Sequence, residues 1–387
     1  MMNRSEIVYL DHSATTPVDP RVLEVMLPYF NQIFGNPSSI HTLGQQAELA
    51  IEKARGSAAA ILNCFPDEIL FTSGGSESDN LALRGTAIIE QQKRGAKHIL
   101  ISPVEHDAVL RTANQLNHVY GFEVEHLTVD EFGRVNPRDL SEKIREDTAI
   151  VSIIHGNNVI GTINPILELG AICRERSIPF HSDAVQSAAH LPLDLKTLNV
   201  DLISIGAHKF YGPKGVGILY KRKGSDLVPT QTGGAQEFNL RSGTENVPLI
   251  WGLVEAMRIT QEEIEEQTNH VLPLRDQIIN HVLNTIPDVV LTGHPQFRLP
   301  NHASFAFRGV DANTLLMLLD SQGFACSSGS ACKTGMPEPS EVLLAIGLER
   351  DLSLGSLRIS LGKSTTKEEV ESFLACLPGL IAKVRSL

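Results

Sequence analysis

A chain of 387 residues that is 42% hydrophobic and 20% charged can bury a large core, enough for one big domain and a smaller one. Its formal net charge of −12 disfavours a nucleic-acid partner, which normally demands a basic stripe. No stretch approaches the roughly 18 apolar residues of a membrane helix, the N-terminal MMNRSEIVYLDHSATTP lacks a leader's apolar run, and five scattered cysteines without a CxxC pair point to a reducing cytoplasm rather than to a zinc site or a disulfide framework.

From about residue 43 to 220 the pattern alternates. QQAELAIEKARGSAAAIL reads as a helix and EILFT as a short buried strand. SDNLALRGTAIIEQQKR is helical again, HILIS a strand, AVLRTANQLNHV a helix and AIVSIIH a strand. ILELGAICRERS is a further helix, followed by strands at IPFHS, DLISIG and VGILYKR. Apolar runs of this length separated by helical periodicity predict βαβ units around a mostly parallel sheet. In such a sheet ligands sit beyond the carboxyl ends of the strands, and most of the unusual residues fall there. After the glycine-rich TGGAQEFNLRSGTEN a long helix begins near Val247. The remainder reads as an α+β second domain. It closes on a helix opened by Thr366 and Glu369 at capping-box spacing, with a kink expected at Pro378.

Five stretches carry chemistry. FTSGGSESDNLAL (71–83) runs strand, glycine turn, helix, and free N–H groups there suit a phosphate, with Ser76 adding a hydroxyl. An ordinary cap by Ser76 or Ser78 explains the same residues. The absence of GKS/T and of GxGxxG excludes a P-loop and a dinucleotide fingerprint. HSDAVQS (181–187) puts Asp183 just past a buried strand, either as a helix cap or as a carboxylate opposing a protonated heteroaromatic nitrogen, as pyridoxal phosphate requires. EHDAV (105–109) offers His106 at another strand end. In SIGAHKFYGPKG (204–215), Lys209 follows a strand where burial lowers an amine's pKa enough for Schiff-base chemistry, whereas Lys214, in a Gly-Pro turn, reads as solvated. In ACSSGSACKTG (325–335), Cys332 lies among small residues beside Lys333, a setting for a nucleophilic thiolate. Cys326 reads as packed, and Cys64, Cys173 and Cys376 as buried structural residues.

Together these stretches resemble the NifS/IscS-like cysteine desulfurases of the class V aminotransferase superfamily. The likeness runs from YLDHSATTPVDPRV through FGNPSSIH, SGGSESDN, EHDAVL, HGNNVIG, HSDAVQS, AHKFYGPKG, LRSGTEN and SSGSAC to EPSEVLLAIGL and LRISLG. It implies a fold-type I pyridoxal 5'-phosphate enzyme with a large domain (15–260) built on a mostly parallel seven-stranded sheet. A small α+β domain (1–14 and 261–387) would carry the cysteine loop. It implies that Lys209 holds the cofactor covalently, that Asp183 pairs with the pyridinium nitrogen, and that His106 stacks on the ring and moves protons. Gln186 and Asn158 match contacts to the cofactor's 3'-oxygen and the substrate. Gly75, Ser76 and His208 match phosphate contacts, and Thr244 one supplied across a homodimer interface. Arg358 matches the arginine that clamps the substrate carboxylate, with Asn36 in the N-terminal substrate loop. Cys332 matches the cysteine that takes sulfur from L-cysteine as a persulfide, releasing L-alanine and serving an iron–sulfur scaffold or thiolation partner. Selenocysteine or cysteine-sulfinate lyase, class V transamination and a reduced sulfur-relay subunit are the competing readings. Three features depart from the family pattern: Val159 where an acid is common, Gly206 where a serine is common, and CKTGMPEPS after the reactive cysteine.

Overall fold

The computed structural model describes residues 7–329 and 338–387, with the backbone alone of 332–333 and 336–337. Short apolar runs become seven strands: β1 (Ile69–Thr72), β2 (His98–Ile101), β3 (Glu123–His126), β4 (Thr148–Ser152), β5 (Phe180–Asp183), β6 (Leu202–Gly206) and β7 (Gly217–Lys221). They form one sheet in the order β1-β7-β6-β5-β4-β2-β3, with only β7 running against the others. Apart from the partly exposed edge strand β3, the strands are buried on both faces, so their apolar side chains divide by parity between two helical layers. Ile69, Phe71, Leu100, Ile203, Ile205, Ile218 and Tyr220 join one core, which includes helix α1 (Thr42–Leu62) and the first half of the long helix over Val247–Thr285. Leu70, Ile99, Ile101, Leu202 and Leu219 join the other, under α2 (Gly75–Arg94) and α3 (Asp107–Tyr120). A fourth helix, α4 (Ile166–Glu175), precedes β5, and α5 (Val247–Thr285) runs on for 39 residues.

The second half of α5 enters a different core. There Val271, Leu274, Ile278 and Val282 pack with Phe305, Phe307, Leu357, Ile359 and the helix α6 (Ala312–Ser321). The antiparallel sheet of that core comprises β8 (Val289–Leu291), β9 (His302–Phe307) and β10 (Ser356–Ser360). The last helix, α7 (Lys367–Arg385), has the expected box: Glu369 N–H donates to Thr366 Oγ1 and Thr366 N–H to Glu369 Oε2. It continues through Pro378 as one helix, where a kink was expected. Val370, Phe373, Leu374, Leu377, Ile381 and Val384 stay buried on one stripe, and that packing outweighs the one lost backbone bond.

The N-terminal segment ties the two cores together. Val8–Tyr9 pairs in parallel with Phe324–Ala325, Asp11 bridges to Ser360, and the chain then crosses to β6's end, where Thr16 N–H donates to the His208 carbonyl at 2.9 Å.

Between β7 and α5 the chain takes a strained path. Ala235, Glu237, Phe238 and Asn239 all have φ between 44° and 65°, a region that costs an L-residue about 1 kcal/mol or more each. A buried ion pair holds it: Arg55 Nη1 and Nη2 donate to the two Glu237 oxygens at 2.8 and 2.9 Å, and Phe71 N–H donates to the same carboxylate. Arg55→Ala should therefore destabilise the protein by about 3–5 kcal/mol, since it strands a buried carboxylate. Arg258→Ala, which breaks exposed pairs with Glu255 and Glu262, should cost under about 1 kcal/mol. Urea unfolding of the two variants in parallel tests this; equal losses would contradict it.

Candidate active site

Strand β6 ends at Gly206 and turns through a 3-10 segment, Ala207–Lys209, that aims Lys209 back beneath the N-terminal segment. Its Nζ donates to the carbonyls of Ser13 and Ala14, both at 2.7 Å. Burial pulls the amine down to about 8, Arg358 pushes the same way, and Asp183 and Asp11 oppose them. A neutral amine is thus accessible near physiological pH.

Lys209 lines a cavity of about 510 Å³ together with Asp183, Gln186, His106, Asn158 and His208. Asp183 is 4% exposed, and its Oδ1 accepts from Val185 N–H at 2.8 Å, so it closes a local turn rather than capping a helix. Burial raises its pKa, against the pull of His106, the Val185 N–H and Lys209. Asp79, from the first turns of α2, lies behind it, its pKa raised well above normal by burial and then by Asp183's charge. Of the two acids Asp79 is pushed further toward its protonated form: a Ser204 hydrogen bond alone opposes its burial, whereas His106, the Val185 N–H and Lys209 all pull on Asp183.

At the start of α2 the N-cap is Gly74, which has no side chain to satisfy the first amides. Ser76 does not cap the helix, and Ser78 turns away, bonding Thr72 Oγ1 and the Ile218 carbonyl at 2.8 and 3.0 Å. Gly75 and Ser76 line the cavity, and a Cβ at Gly75 would meet Val185 Cγ2 at 2.5 Å. His208 Nδ1 lies 3.2 Å from Thr15 Oγ1, its pKa drawn down to about 4 by burial and by the two neighbouring lysines.

His106 caps α3, its Nδ1 accepting from Ala108 N–H at 3.1 Å, so the proton of the neutral ring sits on Nε2. Gln186 Nε2 donates to the Ser13 carbonyl at 2.7 Å. Arg358, on β10, donates to the Asn158 carbonyl at 3.0 Å and pairs with Asp11 at 2.8 Å. Asn36 and Thr244 are exposed and do not line the cavity. The backbone of Cys332–Lys333 pairs with Met336–Pro337, but the Cys332 side chain lies outside the described residues. Lys214, read as solvated, is exposed and yet lines the cavity. Cys173 is buried and Cys64, Cys326 and Cys376 are half-buried; burial pushes all four thiols up, Cys64 to about 12. The sequence reading missed Asp11, Ser13, Ala14 and Asp79. Ser13 and Ala14 act through backbone carbonyls, which no residue type announces.

The family model for class-V aminotransferases matches residues 8–373. The chain is 47% identical over 383 residues to a cysteine desulfurase IscS of Methanosarcina thermophila, covering 99% of this chain and 94% of that one. The chain belongs to the cysteine desulfurases of the class-V aminotransferase family. Among solved structures it is similar to a NifS-like protein, with a TM-score of 0.90, 39% identity, and coverage of 97% and 100%. It is also similar to an SspA structure in complex with cysteine, with a TM-score of 0.80, 35% identity, and coverage of 92% and 99%.

Class-V enzymes work with pyridoxal phosphate, and the cavity's own features fit that group. A buried carboxylate, an accessible amine and an uncapped helix N-terminus face one space, matching a pyridinium nitrogen, an aldehyde carbon and a phosphate. Of the two departures inside the site, Gly206 forfeits only a hydroxyl, for a Cβ there would meet Gly75 N and Val185 Cγ1 at an ordinary 3.4 Å. Val159 is 9% exposed and packs with Val104, Ile154, Val342 and Leu343, surroundings that would penalise the family's common acid.

The depressed amine is directly testable. Trapping of Lys209 in the apoprotein by a small aldehyde and borohydride, mapped by mass spectrometry, should rise with pH through about 8 and then level off. Exposed lysines should keep rising toward about 10.4. A Lys209 profile that followed the exposed lysines would contradict the burial argument.

Proposed function

We propose that this enzyme uses pyridoxal 5'-phosphate to take sulfur from L-cysteine, releasing L-alanine and leaving the sulfur as a persulfide on Cys332 for an acceptor protein. The observation that carries the reading is Lys209 Nζ, desolvated and facing the same cavity as the buried Asp183 carboxylate. When bound there, the cofactor supplies an electron sink for the pair left by α-proton departure.

The chain's own residues do the rest. Lys209 is the amine that would hold the cofactor and, when free, the base that would take the substrate's α-proton. Asp183, ionised beside a cation, holds a proton on the ring nitrogen, while neutral Asp79 behind it adds no second charge. The amides of Gly75 and Ser76, with Ser76 Oγ and His208, bind the phosphate; Gln186 and Asn158 flank the ring's oxygen and the substrate. His106 presents its Nε2 proton toward the ring. Arg358 takes the substrate carboxylate with guanidinium geometry. The Cys332 thiolate attacks the substrate sulfur: an S–S bond forms, the C–S bond breaks, and the electron pair stays on carbon until a proton arrives.

The catalytic centre is assigned to the body of residues 15–260, with Arg358 and Cys332 delivered by residues 1–14 and 261–387. Asn36 and Thr244, away from this chain's cavity, fit a homodimer in which each copy completes its neighbour's site. Exposed Leu27, Phe30, Phe34 and Ile40, at 55–91% accessibility in one stretch near Asn36, supply apolar surface for a second copy. No helix among the described residues is long and apolar enough to cross a membrane, and with the cysteine usage this supports action in the cytoplasm.

Incubating the holoprotein with L-cysteine should yield alanine in step with sulfane sulfur, mapped by mass spectrometry to Cys332. Cys332→Ala should keep the cofactor's visible absorbance and lose sulfide release by about 10²-fold or more. Release at the unmutated rate would overturn the assignment and favour a lyase or transaminase.

A further inference from the structure

Arg358 is more crowded than a clamp awaiting its substrate should be. Its side chain is 8% exposed and already has two partners: Nη1 donates to the Asn158 carbonyl at 3.0 Å, and Nη2 to Asp11 Oδ1 at 2.8 Å. Nε is buried with no partner. Asp11 therefore grips the fork at one point and leaves a bidentate edge half used. A substrate carboxylate arriving at that edge would meet Asp11 on the same guanidinium, and two anions in a site this dry repel each other.

We propose that Asp11 is a latch: it holds Arg358 in the substrate-free enzyme and releases it when an amino-acid carboxylate binds. The inference rests on the reading of Arg358 as the carboxylate clamp. It adds a residue that sets how strongly that clamp selects. The backbone around Asp11 is fixed on both sides, by its bridge to Ser360 and by Tyr9 Oη, which donates to the Asp11 and Thr15 carbonyls at 3.0 and 2.8 Å. Release is thus a rotation of one side chain, 18% exposed, with no rearrangement of the segment. Lys209 is the second cation in Asp11's field and stabilises the carboxylate once it leaves Arg358. The latch keeps the guanidinium aligned and partly neutralised between turnovers, at the expense of ground-state affinity for any ligand with a carboxylate.

The test uses two amines that differ only in that group. Holoprotein, unmutated and Asp11→Asn, is titrated with L-alanine and with L-alaninamide while the cofactor's visible absorbance is followed. The latch requires the L-alanine dissociation constant to fall about tenfold in Asp11→Asn, as expected when a competing charge is removed from a hydrogen-bonded ion pair. The alaninamide constant should stay within about twofold. Unchanged or weakened L-alanine binding overturns the latch, as does equal tightening for both ligands. Should Asp11→Asn fail to fold, a structure of the unmutated holoprotein with L-alanine decides: Asp11 oxygens beyond about 4 Å from Arg358 support the latch, and an intact pair overturns it. An unmutated holoprotein that answers neither amine overturns the functional reading beneath.

Discussion

The fold depends on a dry amine at the end of β6. Lys209 is largely withdrawn from water, and it donates to the carbonyls of Ser13 and Ala14, whose segment must be held in place. That segment is fixed from both sides. Ser13 N–H donates to Ser360 Oγ at 2.8 Å, and its carbonyl also accepts from Gln186 Nε2. Thr16 then binds the carbonyl next to Lys209 through both N–H and Oγ1. A few residues of extended chain thereby join the two hydrophobic cores over the one group whose pKa most needs burial. Loosening this strap would hydrate the amine and return it toward its ordinary value.

The floor of the cavity solves a related problem, how to keep one carboxylate charged among several buried acids. His181 and Asp183 are two apart on β5 and so face the same layer, where α2 presents Asp79. His181 is fixed by hydroxyls at both ring nitrogens, Ser152 Oγ at 2.8 Å and Ser204 Oγ at 2.9 Å, and burial draws its pKa down to about 3. It therefore supplies no charge to its neighbour Asp79, 3.6 Å away. Glu105 is buried as well, its Oε1 accepting from Ile154 N–H at 2.6 Å and its pKa raised well above normal by burial. Burial thus pushes both Asp79 and Glu105 toward their protonated forms. A ring nitrogen of His106 lies within 4.8 Å of both Asp79 and Asp183, and Lys209 adds its pull at Asp183, which favours ionisation there.

Much of this was legible in the residues because burial on both faces writes strands as plain apolar runs. Six of the seven strands were visible that way. The seventh, Glu123–His126, was not: it is the sheet's edge, partly exposed, with two acids and a terminal histidine in place of an apolar run. Residue chemistry singled out Lys209 and Asp183, which the structure brings to one cavity, while Arg358 entered through the family resemblance alone. The site was opaque where backbone does the work, as at Ser13 and Ala14, and where a glycine rather than a serine proved to be the cap. Asp79 was hidden for another reason. Its position four residues into a helix reads as polar surface until the sheet behind it is known.

One strand, β10, links the parts of the site to one another. It carries Arg358, hydrogen-bonds the strap through Ser360, and forms a two-bond bridge with Ser327, where Arg358 N–H donates to the Ser327 carbonyl at 2.7 Å. Gly329 N–H also donates to Ser356 Oγ at 3.1 Å. The chain ahead of Cys332 is thus anchored as far as Gly329 to the strand that carries Arg358. Displacing Ser327 or Gly329 would break bonds to the strand that carries Arg358 and, through Ser360, to the strap over Lys209.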